Sequence, residues 1–416
     1  MLFDIMRIIL LSQWFDPEPG ATKGLPLAKW LQARGHDVKV LTGFPNYPGG
    51  KVYDGYKIRP WQRQTMDGVP VLRVPLYPSH DNSARGRILN FTSFAASAAT
   101  IGTAGIGDAD VGYVYHPPPT IGLAAMSLKL FRRVPFVYHI ADMWPETVME
   151  SGMVGPGRTR DLLERAIHAW CNVAYRHAAA ITVLSPGFKD MLVARGVPAE
   201  KVHVIYNWTD EKAFNPTKPN PEMARELGLA GRFNVVYAGN LGPMQGLETV
   251  VRAAALLRDR PEIQIVLAGT GHEEDRLKAL KRELGAENVL FLGRRQYWEM
   301  AGINALSDVL LVHLRDLPFF AATIPGKTQV ALASGRPTLM AVAGDAAALI
   351  EQAGAGLGCP PENPEAMAAA IRKLYALPAE DRIRMGRTGA DFYQREISLE
   401  VGGQRTEALL DSVRWK

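Results

Sequence analysis

The chain has 416 residues, of which 47% are hydrophobic and 21% are charged; it is long enough for two or three globular domains and too apolar for extensive disorder. Its net charge of +5 suits an anionic partner such as a nucleotide, a phosphate or a membrane surface. The dense Lys/Arg clusters of a nucleic-acid-binding protein are missing, so we expect no nucleic-acid partner.

The beginning of the sequence, MLFDIMRIILLSQWF, differs from a signal peptide. A signal peptide starts with basic residues and ends in a small-residue cleavage site, whereas here Asp4 comes early and a Pro/Glu turn follows. We therefore predict a buried first strand over residues 7–12. The two cysteines, Cys171 and Cys359, are too few for a disulfide framework. Both features favour a reducing, cytoplasmic location.

Short apolar runs alternate with helical patterns along the first half of the chain. Several runs look buried on both faces, as the strands of a parallel sheet are. The predicted strands are residues 7–12, 38–42, 71–75, 111–115, 136–139, 181–184 and 202–206. The predicted helices are residues 23–34, 121–131, 160–178 and 187–195. This alternation predicts a doubly wound α/β domain.

Residues 88–107 contain no charged side chain and are about long enough to cross a bilayer. They are mostly Ala, Ser, Thr and Gly, a composition that is marginal for membrane insertion. We therefore predict a helix that packs on the first domain. Arg85 and Arg87, just before it, would suit anionic lipids, or they are ordinary solvated surface charges.

The pattern restarts after residues 215–221, which are rich in Pro, Asn and Lys and predict a linker. The predicted strands here are residues 234–238, 264–268, 289–292, 309–313 and 337–340. The predicted helices are residues 246–258, 273–284, 297–305, 327–333, 346–353 and 364–375, and a helical tail over 379–416. This is a second doubly wound domain, and ligands of such sheets bind beyond the carboxyl ends of the strands.

Glycine-rich turns follow three predicted strands. Gly20 lies in PEPGATKG, Gly239 in AGNLG, and Gly269 with Gly271 in AGTG, each ahead of a helix. Exposed backbone N–H groups and a helix N-terminus favour a phosphate at such turns. A single glycine of this kind is usually only turn chemistry, and the spacing is not that of a dinucleotide-binding fingerprint.

Lys327 lies in TIPGKT, at the start of a predicted helix, with Pro325 just before it. Proline is favourable near the first helical turn, where its missing N–H is not needed. Beside free backbone donors, a lysine can neutralise a diphosphate. A solvated surface lysine is the alternative.

Polar side chains also follow two strands of the first half. His116 precedes three prolines that stiffen its loop, and His139, Asp142 and Glu146 lie in HIADMWPET. Polar groups at the carboxyl end of a strand fit a site better than a core. His139 could nevertheless be a hydrogen-bonded core histidine.

Six longer stretches together resemble glycosyltransferase family 4, over nearly the whole chain. Within that family the sequence is most similar to bacterial exopolysaccharide and O-antigen enzymes of the colanic acid fucosyltransferase type. The matching stretches are GATKGLPLAKWLQARGHDVKVLTGFPNYP, HIADMWPE, VHVIYNWTD, YAGNLGPMQGLETVV, VLAGTGHEEDRLK and IPGKTQVALASGRP.

The resemblance implies the GT-B fold, in which two Rossmann-like domains face a cleft. It places the acceptor-side domain at residues 1–214, the donor-binding domain at 215–395, and a terminal helix over 396–416 that packs back on the first domain. It also implies a retaining enzyme that uses a UDP- or GDP-linked sugar and needs no cofactor and no metal.

The residue patterns above and the positions carried over from the resemblance together give two groups of predicted site residues. The catalytic group is His116, His139, Asp142 and Lys327, with Glu146 on the acceptor side. The donor-binding group is Gly20, Ala21, Gly239, Asn240, Gln245, Gly269, Gly271 and Lys327.

The sequence departs from the common family pattern at two places. Many members carry an Arg and a Lys where this chain has Asn240 and Gln245, and two glutamates where it has Ala322 and Val330. A subset of polysaccharide enzymes shares both departures. Two alternatives therefore stay open: a GT-B epimerase acting on UDP-N-acetylglucosamine, and a non-catalytic subunit that binds nucleotide sugars.

The expected acceptor is a glycan on a polyprenyl diphosphate, reached at an anionic membrane surface. Net positive charge and the uncharged segment behind Arg85 and Arg87 favour a peripheral protein on the inner face of the plasma membrane. Aromatic rings of the earlier loop over residues 43–61 could lie at such an interface, or could simply pack that loop. These rings are Phe44, Tyr47, Tyr53, Tyr56 and Trp61.

Overall fold

The computed structural model describes residues 4–19, 23–79, 84–150, 155 and 157–415. The chain divides into two compact units. Unit 1 comprises Met1–Tyr206 and Leu399–Lys416, and unit 2 comprises Asn207–Ser398.

Each unit contains one sheet. The strands of unit 1 are β1 (Arg7–Ser12), β2 (Asp37–Gly43), β3 (Gln62–Met66), β4 (Val69–Val74), β5 (Val111–His116), β6 (Phe136–Ile140), β7 (Ala180–Val183) and β8 (Val202–Val204). The strands of unit 2 are β9 (Phe233–Ala238), β10 (Ile263–Ala268), β11 (Val289–Gly293), β12 (Val309–His313), β13 (Thr338–Ala341) and β14 (Gly356–Gly358).

Helices follow most of these strands. They are α1 (Leu25–Ala33), α2 (Ala84–Ser97), α3 (Thr103–Gly105), α4 (Gly122–Arg132), α5 (Glu146–Glu150), α6 (Arg158–His177), α7 (Pro186–Ala194), α8 (Pro221–Glu226), α9 (Glu248–Ala255), α10 (Glu274–Leu284), α11 (Met300–Ala305), α12 (Pro318–Ala321), α13 (Gly326–Ala333), α14 (Asp345–Gln352), α15 (Pro364–Ala376), α16 (Ala379–Glu396) and α17 (Leu399–Val413).

The sheet of unit 1 has the strand order β3-β4-β2-β1-β5-β6-β7-β8. All its pairs are parallel except β3 with β4. Its central strands are buried on both faces, which explains their continuous apolar sequences. The sequence did not predict β3, because its polar run QRQTM forms an antiparallel edge strand with alternating exposure.

The predicted helix over residues 88–107 is confirmed. α2 continues through a π-helical turn (Ala98–Gly102) into α3. Gly102 allows close packing on the sheet, because a Cβ there would lie 2.8 Å from the Leu41 side chain. Within the described residues, no helix has both the length and the apolar character needed to cross a bilayer.

The sheet of unit 2 is parallel, in the order β11-β10-β9-β12-β13-β14. Its core contains apolar residues of β9, β10 and β12 together with α9 and α15. Three short elements were missed, of which one is the four-residue helix α12. β14 has the sequence GLG, and α8 begins inside the predicted linker, where Asn220 caps its first turn.

The helical tail consists of two helices. α16 packs on α13 within unit 2, whereas α17 packs on α1 and on strands β5 and β6 of unit 1. The predicted return of the terminal helix to the first domain is confirmed, and the two doubly wound sheets confirm the predicted fold class.

Candidate functional site

In unit 1, the polar residues singled out in the sequence lie at the carboxyl ends of adjacent strands. His116 is the last residue of β5, and His139 is the penultimate residue of β6. Asp142 and Glu146 follow β6. Neighbouring parallel strands therefore bring residues that are far apart in sequence to one edge of the sheet, which is where doubly wound sheets bind ligands.

His139 is fully buried. Its Nδ1 lies 2.8 Å from Thr182 Oγ1, and its ring stacks on Tyr113 with the ring centroids 5.7 Å apart. Nε2 is buried and has no partner within the described part of the chain. Burial, reinforced by the charge of Lys23, holds the pKa of His139 well below its usual range, so the ring is neutral. These contacts are those of a core histidine, and its catalytic role remains a prediction.

His116 is also fully buried, and its ring packs beside Tyr138 with the centroids 5.4 Å apart. Neither ring nitrogen has a hydrogen-bond partner among the residues described. Burial lowers the pKa of His116 to about 3, so the ring stays uncharged at neutral pH. A buried imidazole with two unused nitrogens can offer one donor and one acceptor to a ligand.

Asp142 is only partly buried, and burial raises the pKa of its carboxyl above the usual value. Glu146 instead forms an ion pair with Arg195, which also donates a hydrogen bond to the Trp144 carbonyl at 3.0 Å. Of the two carboxylates, Asp142 is thus the better placed to meet a ligand. Glu146 helps to fix the loop after β6.

Sequence reasoning missed Lys23, which lies in the GATKG stretch but was not singled out. Its side chain is 3% exposed, and Nζ lies 3.4 Å from the Ile205 carbonyl oxygen. Burial lowers its pKa to about 7. Gly20 and Ala21, the two predicted donor-binding residues just before it, lie outside the described residues.

In unit 2, the loops after β9 and β10 contact each other at three glycines. We call Gly239, Gly269 and Gly271 the glycine cradle. A Cβ on Gly269 would lie 1.8 Å from the Gly239 carbonyl oxygen, and one on Gly271 would lie 2.3 Å from that of Leu241. Gly239 and Gly269 also have φ values of +142° and +147°. No other residue fits there without displacing the backbone, so the predicted glycine loops do meet at one edge of the sheet.

Lys327, in the first turn of α13, lies against the glycine cradle. A Cβ on Gly239 would be 2.9 Å from Lys327 Nζ. Nζ donates a hydrogen bond to the Tyr237 hydroxyl and lies 3.7 Å from the centroid of that ring. The Tyr237 hydroxyl in turn donates to the Asn240 carbonyl at 2.8 Å. Burial lowers the pKa of Lys327 to about 7.

Gln245 and Asn240 lie in the loop after β9, where the resemblance placed them. The Gln245 side chain accepts a hydrogen bond from the Gly242 N–H at 3.2 Å, and Asn240 is exposed. His313, at the end of β12, was missed. The Glu362 N–H donates to its Nε2 at 3.3 Å, so Nδ1 carries the proton and donates to the Gln245 carbonyl at 2.6 Å.

Arg315, also missed, fixes the other side of this loop. It donates to the Pro243 carbonyl at 2.6 Å and lies 3.6 Å from Glu248. These side chains occupy positions at strand ends that only the fold brings together, so no local sequence pattern marks them. Among the residues described, no group of three or more His, Cys, Asp or Glu has the spacing of a metal site.

Two family models match the chain. The model "Glycosyl transferase 4-like domain" matches residues 23–208, and "Glycosyl transferases group 1" matches residues 220–392. A curated relative is the putative colanic acid biosynthesis glycosyl transferase WcaI of Escherichia coli K12. It is 26% identical over 394 residues, which cover 91% of this chain and 94% of the relative.

Solved structures also match over almost the whole chain. Anabaena HepE, in complex with UDP and glucose, is 20% identical, with a TM-score of 0.70 and coverage of 98% of this chain and 100% of that chain. WaaG, a glycosyltransferase involved in lipopolysaccharide biosynthesis, is 16% identical, with a TM-score of 0.66 and coverage of 97% and 99%. These matches show that the fold is shared.

Proposed function

Because the chain belongs to the glycosyltransferases that join a family 4-like domain to a group 1 domain, we propose that it is a retaining, metal-independent GT-B enzyme of cell-surface polysaccharide synthesis. It transfers a hexosyl residue from a UDP- or GDP-linked donor, and this residue can be a deoxy or an amino sugar. The acceptor is a glycan carried on a polyprenyl diphosphate.

The observation that carries this proposal is the contact between Lys327 and the glycine cradle. The glycines of two loops pack backbone to backbone and stay half-exposed, and the ammonium of Lys327 lies beside Gly239. A diphosphate placed there would meet one cation and the N-terminus of α13. These groups stabilise the negative charge that develops on the leaving diphosphate as the bond to the sugar breaks.

The chemistry needs no strong side-chain base. In front-side transfer, the acceptor hydroxyl gives its proton to an oxygen of the leaving phosphate while its own oxygen bonds to the anomeric carbon on the same face. This agrees with the two neutral, buried histidines of unit 1, which can orient hydroxyl groups but stay uncharged at neutral pH. Asp142 is the remaining group that could contact the sugar or the acceptor.

Two comparisons support the substrate classes. The relative WcaI is named for colanic acid, a polysaccharide, and HepE binds UDP and glucose. Screening UDP- and GDP-sugars by thermal unfolding tests the donor class, because a ligand at 100 times its Kd stabilises the native state by about 2.7 kcal/mol. Product analysis with the best donor then separates a glycolipid product from an epimer. If no nucleotide sugar raises the melting temperature, the proposed function is wrong.

We also propose that unit 1 docks on an anionic membrane surface. The exposed face of α2 presents Ile88 and Leu89, which are 58% and 49% exposed, next to Arg85 and Arg87. On α4, which packs against α2, Leu130 and Phe131 are each 73% exposed. Apolar side chains next to cations match the interfacial region of a bilayer that contains anionic lipids.

A further inference from the structure

Four aromatic rings form a row across unit 1, which we call the aromatic row (Tyr47, Trp14, Phe91 and Trp144). The centroids of Tyr47 and Trp14 are 5.3 Å apart, those of Trp14 and Phe91 6.2 Å, and those of Phe91 and Trp144 6.4 Å. Phe91 meets both tryptophans edge to face, at interplanar angles of 73° and 77°. Each ring therefore contacts the next at an angle, and the row presents both ring faces and ring edges.

The aromatic row lies at the ligand-binding edge of the sheet. Tyr47 follows β2, Trp14 follows β1 and Trp144 follows β6, and these strands are neighbours in the order β2-β1-β5-β6. Phe91, on α2, is tied to the loop after β5 because Thr120 Oγ1 donates to its carbonyl at 3.2 Å. The row thus spans the same strand ends that hold His116 and Asp142.

A buried polar network holds the loop that carries Tyr47. The carboxylate of Glu18, which is 3% exposed, accepts the N–H groups of Asn46 at 2.7 Å and Tyr47 at 2.8 Å. Asn90 donates to the side chain of Asn46 at 3.1 Å and accepts from Gln13 at 2.6 Å. Side chains fixed in this way bind a ligand without a large ordering cost.

All four rings are partly exposed. A group of large apolar side chains exposed together is an informative feature of a protein surface. Several buried polar atoms at the same strand ends also lack a partner in the described part of the chain. These atoms are Trp144 Nε1, Gln13 Oε1 and both ring nitrogens of His116. Buried polar groups without hydrogen bonds cost free energy, and a ligand with hydroxyl groups would satisfy them.

We propose that the aromatic row binds a sugar ring of the acceptor, with the C–H face of the ring against the aromatic surface and its hydroxyls directed to Trp144, Gln13 and His116. This inference rests on the proposed function, which supplies the need for a glycan acceptor. The polar atoms favour a sugar over an isoprenoid chain, because an alkyl ligand would leave each of them unsatisfied.

The test measures sugar binding directly. Octyl glucoside, galactoside, mannoside and fucoside are compared with octyl tetraethylene glycol, which has the same chain but no sugar, by saturation-transfer NMR. We expect saturation on the ring protons of at least one glycoside, and at least tenfold weaker binding of that glycoside by Trp14→Ala. Trp144→Phe keeps an aromatic ring and removes only the N–H, so binding should weaken severalfold. Trp415→Ala, at an exposed tryptophan of the same unit, is the control.

Three outcomes would overturn the inference: saturation of the octyl chain alone, binding that both row variants retain, and binding that Trp415→Ala loses equally. Calorimetry with UDP and GDP on the same proteins separates this result from the proposed function. A row variant that folds should keep the nucleotide affinity of the wild type, because the row lies in unit 1 and the glycine cradle in unit 2. A wild type that binds glycosides but no nucleotide would contradict the proposed function and leave sugar binding by the row intact.

Discussion

At the scale of single residues, Lys327 shows how burial adapts a cation to an anionic ligand. In the structure its ammonium has the Tyr237 hydroxyl and ring as neighbours, and burial lowers its pKa to about 7. A diphosphate beside it would favour the charged form and raise that pKa. In the proposed donor site, binding of the nucleotide and protonation of Lys327 would therefore be coupled.

Replacing Lys327 should weaken nucleotide binding. Lys327→Met removes the charge and keeps most of the aliphatic stem that lies against Gly239, so we expect the affinity for UDP or GDP to fall by about 1.5–3 kcal/mol, the value of a charge-assisted hydrogen bond. Isothermal calorimetry measures this. Lys373→Ala, at an exposed lysine of α15, is the matched control. An unchanged affinity in Lys327→Met would remove Lys327 from the donor site.

The pKa of Lys327 sets the direction in which the affinity for UDP or GDP changes with pH. Because the ammonium form predominates below the pKa of about 7, the nucleotide affinity of the wild type should decrease from pH 6.5 to 8.5. Lys327→Met should lose most of this decrease, since the nearby His313 also has a pKa lowered by burial and stays neutral over this range. Parallel pH profiles in both proteins would show that another group titrates.

At the scale of elements, the terminal helix α17 is joined to unit 1 by buried polar contacts. Glu407, 1% exposed, accepts from His36 Nε2 at 2.9 Å and forms an ion pair with Arg34 at 3.3 Å. The Met6 N–H donates to His36 Nδ1 at 3.2 Å, so Nδ1 is an acceptor and Nε2 is the nitrogen that donates to Glu407. Gly403 permits the close approach, because a Cβ there would lie 2.7 Å from the Trp30 ring.

Removing the buried carboxylate should destabilise the protein. Glu407→Ala leaves the buried His36 Nε2 without its acceptor and Arg34 without its ion-pair partner, and we expect a loss of about 2 kcal/mol in the free energy of unfolding, as for a buried donor left without a hydrogen bond. Glu400→Ala is the control, because Glu400 is exposed and, among the residues described, accepts hydrogen bonds from Trp30 and Gln404. The free energy of unfolding of Glu400→Ala should fall by less than about 1 kcal/mol. Urea unfolding compares the two variants, and equal losses would refute a special role of Glu407.

At the scale of the whole molecule, net charge and exposed apolar side chains bear on where the protein works. The chain carries +5, and Arg85 and Arg87, in the first turn of α2, lie next to exposed Ile88 and Leu89. Each cation near an anionic leaflet contributes about 1 kcal/mol to binding. A few such residues together are enough for reversible attachment.

Vesicle sedimentation tests this attachment. The wild type should sediment with vesicles that contain phosphatidylglycerol, less so at high salt. Arg85→Glu with Arg87→Glu should weaken binding by roughly 30-fold or more, since two favourable cations are lost. The same reversal at Arg384 and Arg387, exposed on α16 of unit 2, is the control. A wild type that stays in the supernatant at low salt would contradict the membrane proposal and favour a soluble acceptor.

Metal independence is the second prediction at this scale. Lys327, backbone N–H groups and the N-terminus of α13 would supply the positive potential that some transferases take from a divalent cation. Transfer should therefore continue in excess EDTA. Activity that EDTA abolishes and a divalent cation restores would show that these groups are insufficient.

The sequence alone determined the two α/β sheets. Buried parallel strands need continuous apolar runs such as RIILLS, whereas amphipathic helices repeat their apolar residues every three or four positions. It also located the glycine loops and Lys327, since backbone geometry at Gly239 and Gly269 admits no side chain. It missed β3, whose polar residues suit an exposed edge.

Only the tertiary structure decided which side chains meet. Tyr237 lies next to Lys327, His313 next to Gln245, and Trp14 next to Phe91, although 68 to 90 residues separate the two partners of each pair. It also decided that His116 and His139 are buried and neutral, because burial depends on what packs around a strand end and not on the residues of the strand itself.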